Sequence, residues 1–287
     1  LIRTARRARK TSAGYDLTRL LIGSEGTLGL ITELTLKLYG IPEAISAATC
    51  SFPTVEAACN AVIMTIQMGI PVARIELLDA LSVKGVNAYS RLDLPETPLL
   101  LLEFHGTDAS VKEQAESFGE IAADHGSLAF TFTTKPEERS KLWAARHDAY
   151  WASLALRKGA KGISTDCCVP VSRLAECVTR AQEKAGALGL IAPVVGHVGD
   201  GNFHTLPLIM MDDPDEVARA QEFVSWLNDL AISMDGTCTG EHGIGQGKAR
   251  YLLPELGEGA VSMMVAVKHG VDPLNLFNPG KILVSDV

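Results

Sequence analysis

The sequence predicts an α+β fold, a ferredoxin-like antiparallel sheet with helices on one face. Three observations predict it. Apolar residues recur at helical spacing in some stretches and alternate in others, and the two kinds follow one another along the chain. One hairpin signal, Asp200-Gly201, interrupts that succession. Hydrophobic residues make up 47% and charged residues 21% of the 287, the balance of a globular chain with a real core. The other sheet face, carrying histidines, is expected to be free to cover a neighbouring domain.

The elements run in order along the chain. Gly23, Gly26 and Gly29 form a tight loop whose backbone can approach a flat ligand or phosphate, or can be a plain turn. It is not a G-x-G-x-x-G between strand and helix, so no Rossmann site is assigned. Leu30–Leu38 alternates apolar and polar residues and predicts a half-buried strand. After a break at Gly40–Pro42, helical spacing of Val55, Cys59, Val62, Ile63 and Ile66 predicts a helix over 54–68, stopped by Gly69. A strand at 70–78, a helix in the 80s, a strand at Leu99–His105, a helix at 109–125 and a strand at Leu128–Thr133 come next. Pro136 opens a long helix to about Leu156. Then come a strand at Ile163–Val169, a helix at 172–188, a ribbon of 190–198 with 203–211, and a helix at 214–233 behind Asp212-Asp213-Pro214. Two short helical stretches and an Asn278-Pro279-Gly280 turn close the chain.

Net charge is −8, which argues against a nucleic-acid partner. No apolar run approaches the roughly 20 residues of a membrane span. The six cysteines show no CxxC spacing, and most lie in apolar segments, as reduced thiols do. Cys238, three residues before Glu241, is within reach of a metal there, but reads first as a buried small hydrophobe. The chain opens at Leu1 with a basic run, Arg3 to Lys10, and reads as the C-terminal part of a longer protein.

The chemistry centres on Gly196-His197-Val198-Gly199-Asp200-Gly201-Asn202-Phe203-His204. A two-residue turn at Asp200-Gly201 would set Gly199 opposite Asn202, Val198 opposite Phe203 and His197 opposite His204. The two imidazoles would then share a face, with Cβ atoms roughly 5 Å apart. Downstream, Glu241 and His242 stand between Gly240 and Gly243. Two histidines and a glutamate are a common transition-metal set that leaves positions open for substrate, suited to zinc, manganese or iron.

Gly14-Tyr15-Asp16-Leu17-Thr18, the loop Gly23-Ser24-Glu25-Gly26-Thr27-Leu28-Gly29, Gly196–His204, Gly240–Gly245 and Asn278-Pro279-Gly280-Lys281 together resemble the FAD-linked 2-hydroxyacid dehydrogenases of the vanillyl-alcohol-oxidase fold superfamily. The resemblance runs nearly end to end. The segment Lys161–Pro170 is most similar to the D-lactate branch, whose electrons pass to cytochrome c. The D-2-hydroxyglutarate dehydrogenases and the glycolate oxidase flavin subunits share the motifs and are the alternatives.

The resemblance implies three parts. Residues 1–45 would be the end of an FAD-binding domain, 46–265 a substrate and metal domain, and 266–287 a segment returning to the flavin. Gly23, Ser24, Glu25, Gly26, Gly29 and Ile31 would lie along FAD, with Asn278 near its ring. His197, His204 and Glu241 would hold a divalent metal, and His242 would be the catalytic base. Arg146 and Lys161 would clamp the substrate carboxylate, Arg with a fork and Lys with a point charge. Tyr150, one helical turn after Arg146, would share the pocket wall. The implied reaction is oxidation of a D-2-hydroxyacid, D-lactate to pyruvate foremost, with hydride passing to FAD. Electrons would leave to cytochrome c, a quinone or an electron-transfer flavoprotein, and the chain could pair as a homodimer. The implied place is the mitochondrion in a eukaryote, or the cytoplasm or inner-membrane surface in a bacterium. A non-redox metal hydrolase and a non-catalytic binding module are the rival classes, and a flavin spectrum bleached by a 2-hydroxyacid would separate all three.

Overall fold

A computed structural model describes residues 1–283. It divides into two compact units, Gly40–Gly240 and a second built from Leu1–Tyr39 with Glu241–Val287. This division falls at 40 and 240, beside the expected boundaries at 45 and 265. The last four residues of the expected 266–287 segment lie outside the described residues.

In the unit formed by the two ends of the chain, Asp16 caps a short helix, α1 (Leu17–Leu21), by accepting the Arg19 N–H. The glycine loop follows. The expected strand at Leu30–Leu38 is not formed; Leu30, Leu34, Leu36 and Leu38 lie exposed in extended or irregular chain. Alternation marks a strand only where another strand takes up its N–H and C=O groups, and among the described residues none pairs with this stretch.

The larger unit is the antiparallel sheet. Its strands β1 (Ala44–Ser51), β2 (Val72–Leu78), β3 (Leu99–Gly106) and β4 (Ala129–Thr133) lie in the order β4-β1-β3-β2, all antiparallel, as the ferredoxin-like expectation requires. Helices α2 (Val55–Gln67), α3 (Ala80–Ser90) and α4 (Asp108–Asp124) connect them. The central strand β1 was not foreseen. Ala44-Ile45-Ser46-Ala47-Ala48-Thr49-Cys50-Ser51 is rich in small residues of weak strand preference, and it is ordered by β3 and β4 on either side.

Helices cover both faces of the sheet, not one. Ile75, Leu77, Leu100, Leu102 and Phe104 pack with α2 and α4 on one side. Leu78, Leu99 and Leu101 face the other side, onto α3, α5 (Pro136–His147) and α6 (Ala149–Ala155). The reason is in the sequence: four successive leucines at 99–102 are apolar on both faces and need cover on both. The helix expected from Pro136 to Leu156 is these two helices, divided at Asp148.

The sheet continues from β2 through β7 (Val194–Gly196) and β8 (Asn202–Thr205) to β6 (Cys167–Cys168). Strands β5 (Lys161–Gly162) and β9 (Leu208–Ile209) form a separate pair. Backbone bonds from Ile163, Thr165 and Val169 to Pro207, Thr205 and Gly201 keep one register along 161–169 and 201–209. The strand expected at Ile163–Val169 is thus broken into β5 and β6, with the same register kept across the irregular stretch between them. Helices α7 (Leu174–Ala187) and α8 (Pro214–Ser233) complete the larger core. In the second unit, the two short helical stretches expected near the end are a 3-10 turn at Ala249–Tyr251 running into the 20-residue α9 (Leu252–Val271), kinked at Gly257. No helix among the described residues is long and apolar enough to cross a membrane.

Candidate metal and substrate site

The hairpin carries its histidines in a different register from the expected one. Val195 faces His204 and Val194 faces Thr205, while Val198–Asp200 forms a 3-10 turn closed by Gly201 at φ +81°. A two-residue turn would have needed positive φ at Asp200 as well. The pairing has slipped by two residues, so His197 is diagonal to His204 rather than opposite it. A slip of one would have sent the imidazoles to opposite faces; a slip of two preserves the face. Their ring centroids are 5.7 Å apart, edge to face.

Each ring is oriented through Nδ1. His204 is buried, and its Nδ1 donates to the Thr165 carbonyl at 2.9 Å. Thr165 is itself locked to Thr205 by three hydrogen bonds of its hydroxyl and one of its backbone N–H, so this acceptor is fixed by the ladder. The Nδ1 of His197 lies 2.8 Å from Glu76 Oε1 on β2. A carbonyl and a carboxylate both accept, so each neutral ring carries its proton on Nδ1 and its lone pair on Nε2. That is how metal-binding histidines are held by their outer partners.

Asp166 ties this face to the segment that ends at Gly240. Its side chain is fully buried, and Oδ1 accepts from Asn202 Nδ2 at 2.9 Å while Oδ2 accepts from Thr239 Oγ1 at 2.8 Å. Its carbonyl accepts the Gly240 N–H at 3.2 Å. The end of the larger unit is thereby anchored, one peptide bond before Glu241. Asp166 was not singled out from sequence, although it lies inside the Lys161–Pro170 segment.

In the second unit, Glu241 and His242 are exposed, and His242 Nε2 lies 3.8 Å from Glu241 Oε1. The chain bends here, and Gly243 takes φ +83°. The Glu25 carboxylate braces this loop by accepting the N–H groups of Ile244 at 2.6 Å and Gly245 at 2.8 Å. Glu25 therefore turns its side chain to the histidine loop, while its carbonyl accepts the Asn278 side-chain amide. Asn278 is thus placed against the glycine loop. Lys268 donates to the Thr27 carbonyl at 2.8 Å from the other side. A Cβ at Gly23 or Gly29 would meet nothing within 4 Å, and Ile22, Leu30 and Ile31 beside them are exposed. An open glycine loop flanked by apolar side chains suits a flat aromatic ligand.

Among the substrate candidates, Arg146 has its Nε 3.0 Å and its Nη2 2.8 Å from Glu76 Oε2. One carboxylate thus holds both Arg146 and His197. Tyr150, half exposed on α6, makes an edge contact with Trp151 at 5.2 Å, and Lys161 stands exposed on β5. Sequence reasoning passed over Glu76. Its signal was a lone carboxylate amid Ile75, Leu77 and Leu78, where a buried strand should be apolar. Cys238 is buried, and all six cysteines are thiols.

Residues 41–282 match the family described as FAD linked oxidases, C-terminal domain. The chain is 48% identical over 278 residues to the probable mitochondrial D-lactate dehydrogenase of Danio rerio, covering 97% of this chain and 56% of that protein. It is 46% identical to the mitochondrial D-lactate dehydrogenase (cytochrome) of Arabidopsis thaliana, over 99% of this chain and 50% of that one. The glycolate oxidase subunit GlcD of Bacillus subtilis is 33% identical, over 100% and 61%. The chain spans about half the length of the curated relatives it matches. Among solved structures, 4-ethylphenol oxidase from Gulosibacter chungangensis shares the fold at a TM-score of 0.65 and 14% identity, over 87% of this chain and 55% of that one. Alkyldihydroxyacetonephosphate synthase does so at 0.63 and 20%, over 94% and 51%.

Proposed function

The chain belongs to the FAD linked oxidases, C-terminal domain family, and from that premise we propose that it binds and activates a D-2-hydroxyacid for oxidation by FAD. D-lactate is the first choice of substrate, because two mitochondrial relatives named D-lactate dehydrogenase reach 46–48% identity, against 32–33% for those named glycolate oxidase subunit. The relatives' names also support a mitochondrial setting and a cytochrome as electron acceptor. The observation that carries the reading is the histidine pair, two imidazoles on one face, each with its Nδ1 within hydrogen-bond distance of an oxygen that accepts.

His197, His204 and Glu241 are the proposed ligands of a divalent metal. Their nitrogen and oxygen donors fit zinc, manganese or iron. A bound metal would supply Lewis-acid activation of the substrate hydroxyl, and a bound FAD would supply the two-electron acceptor. His242, next to Glu241, takes the hydroxyl proton. Arg146 and Lys161 receive the carboxylate, and Tyr150 lines the wall beyond it. With Nε donating to Glu76 and Nη2 paired with the same oxygen, Arg146 turns its Nη1–Nη2 edge to a second carboxylate. Gly23, Ser24, Gly26, Gly29, Ile31 and Asn278 form the flavin-facing surface, and Glu25 supports it through its contacts with Ile244, Gly245 and Asn278.

Elemental analysis tests the ligand set. His204→Ala should lose stoichiometric metal and most turnover together, because one ligand is gone. Full metal occupancy in that variant would overturn the assignment.

A further inference from the structure

We propose that Glu76 is the positioning residue of this site, its carboxylate fixing the ring of His197 with one oxygen and the guanidinium of Arg146 with the other. This rests on the reading of His197 as a ligand and Arg146 as the carboxylate clamp, and it makes one side chain responsible for the geometry of both. Glu76 touches neither metal nor substrate. It acts through the two groups that do.

The placement supports the role. Glu76 lies on β2, opposite Leu101 of β3, so its backbone is held within the sheet. It is 7% exposed and shares its face with Leu78, Leu99 and Leu101. A leucine here would extend that apolar layer at no electrostatic cost. A carboxylate in such a place costs several kcal/mol unless its lone pairs are filled, and a buried ion pair seldom beats an apolar replacement for stability. Here two hydrogen bonds and an ion pair fill them: His197 Nδ1 at 2.8 Å and Arg146 Nε at 3.0 Å, with the Arg146 Nη2 2.8 Å from the same Oε2. The neighbouring cation on the same face, Arg74, is engaged otherwise. It pairs with Glu103 at 2.9 Å and lies over the Trp143 ring at 4.2 Å. His105 also turns to Glu103, at 2.7 Å. Two carboxylates on adjacent strands thus divide the cations, and Arg146 falls to the one that also holds the histidine.

Hydrogen-bond chemistry gives the consequence. An ionised carboxylate only accepts, so it forces His197 to carry its proton on Nδ1 and to present the Nε2 lone pair. It also fixes the Nε side of Arg146, which aims the far edge of the guanidinium. A glutamine fills the same volume, but its NH2 group donates. It can satisfy either His197 or Arg146 through its oxygen, and it sets a donor against the other.

The test begins with the parent chain. Long-range 1H–15N correlation on the metal-free protein, with His197 assigned through His197→Gln, should show the Nδ1–H tautomer. An Nε2–H tautomer would overturn the proposal without any Glu76 variant having to fold. Zinc titration against a chromophoric chelator should show Glu76→Gln weakened about 10- to 100-fold with 1:1 stoichiometry kept, the usual effect of losing an outer partner of a ligand. Glu76→Asp, shorter but still ionised, should bind zinc more tightly than Glu76→Gln. A space-filling role would give the reverse order, since glutamine preserves the volume, and that order would overturn the proposal. His204→Ala separates the two readings. If it keeps zinc, the metal assignment fails; if it loses zinc while Glu76→Gln binds with parental affinity, the positioning role alone fails.

Discussion

Gly240→Ala tests how the larger unit holds the start of the Glu241-His242 loop. The backbone of Gly240 does not require glycine, since its φ lies outside the left-handed region; the space does. An added Cβ would stand 2.1 Å from Asn202 Nδ2 and 2.9 Å from Asn202 Cγ. Asn202 cannot swing aside freely, because it is buried and its amide donates to Asp166 Oδ1 at 2.9 Å and to the Cys167 carbonyl at 3.1 Å. Losing both bonds removes about 1.5–3 kcal/mol for the one to the carboxylate and about 0.5–1.5 kcal/mol for the other. The expected cost is about 2–4 kcal/mol, which in a unit of this size lowers Tm by roughly 5–15 °C. Zinc affinity should fall with it, because Glu241 follows directly in the chain. Gly199→Ala, in the hairpin that carries Asn202, is the control: its Cβ would meet Ile75 Cβ at 3.8 Å, an ordinary contact. Differential scanning calorimetry and zinc titration read both effects. A Gly240→Ala protein that melts with the Gly199→Ala control and binds zinc like the parent would refute the reasoning.

Two further outcomes are expected. Burial raises the Asp272 carboxyl, but the Lys268 ammonium and the N–H groups of Leu276 and Phe277 outweigh it and hold it at about 2. Its contribution to stability is therefore present above the ordinary carboxylate range and lost as pH falls toward 2. Asp272→Asn should be less stable than the parent at neutral pH, with the two Tm curves converging in acid; a constant offset down to pH 2 would exclude this. Arg146→Lys keeps a charge but loses the planar fork, so the apparent affinity for D-lactate should fall while metal and flavin content hold. Unchanged affinity in Arg146→Ala would place the clamp elsewhere.

Much of this was legible because periodicity reports burial. The helices at 55–67, 80–90, 108–124, 174–187 and 214–233, and the strands at 72–78 and 99–106, stand where their patterns set them. The histidine pair kept its face although the turn was misjudged, because a two-residue slip is invisible to side-chain parity. The failures have physical causes too. Small residues hid β1, since Ala44–Ser51 forms a strand through its neighbours rather than through its own preference. The alternation at Leu30–Leu38 overcalled a strand for want of a partner. Glu76 and Asp166 were missed because their meaning is tertiary: each gathers groups far away in sequence, His197 with Arg146 and Asn202 with Thr239.

The central claim is that this chain supplies the base and the metal site for flavin-linked oxidation of a D-2-hydroxyacid. Anaerobic stopped-flow reduction of FAD by D-lactate, measured in the complete flavoprotein with and without His242→Asn, tests it most directly. The parent flavin should bleach. The variant should keep its FAD and metal yet bleach roughly 10²- to 10⁴-fold more slowly, the span expected for a positioned acid–base group. A parent flavin that stays oxidised in D-lactate, D-2-hydroxyglutarate and glycolate alike, or a variant that bleaches at the parental rate, would contradict the account.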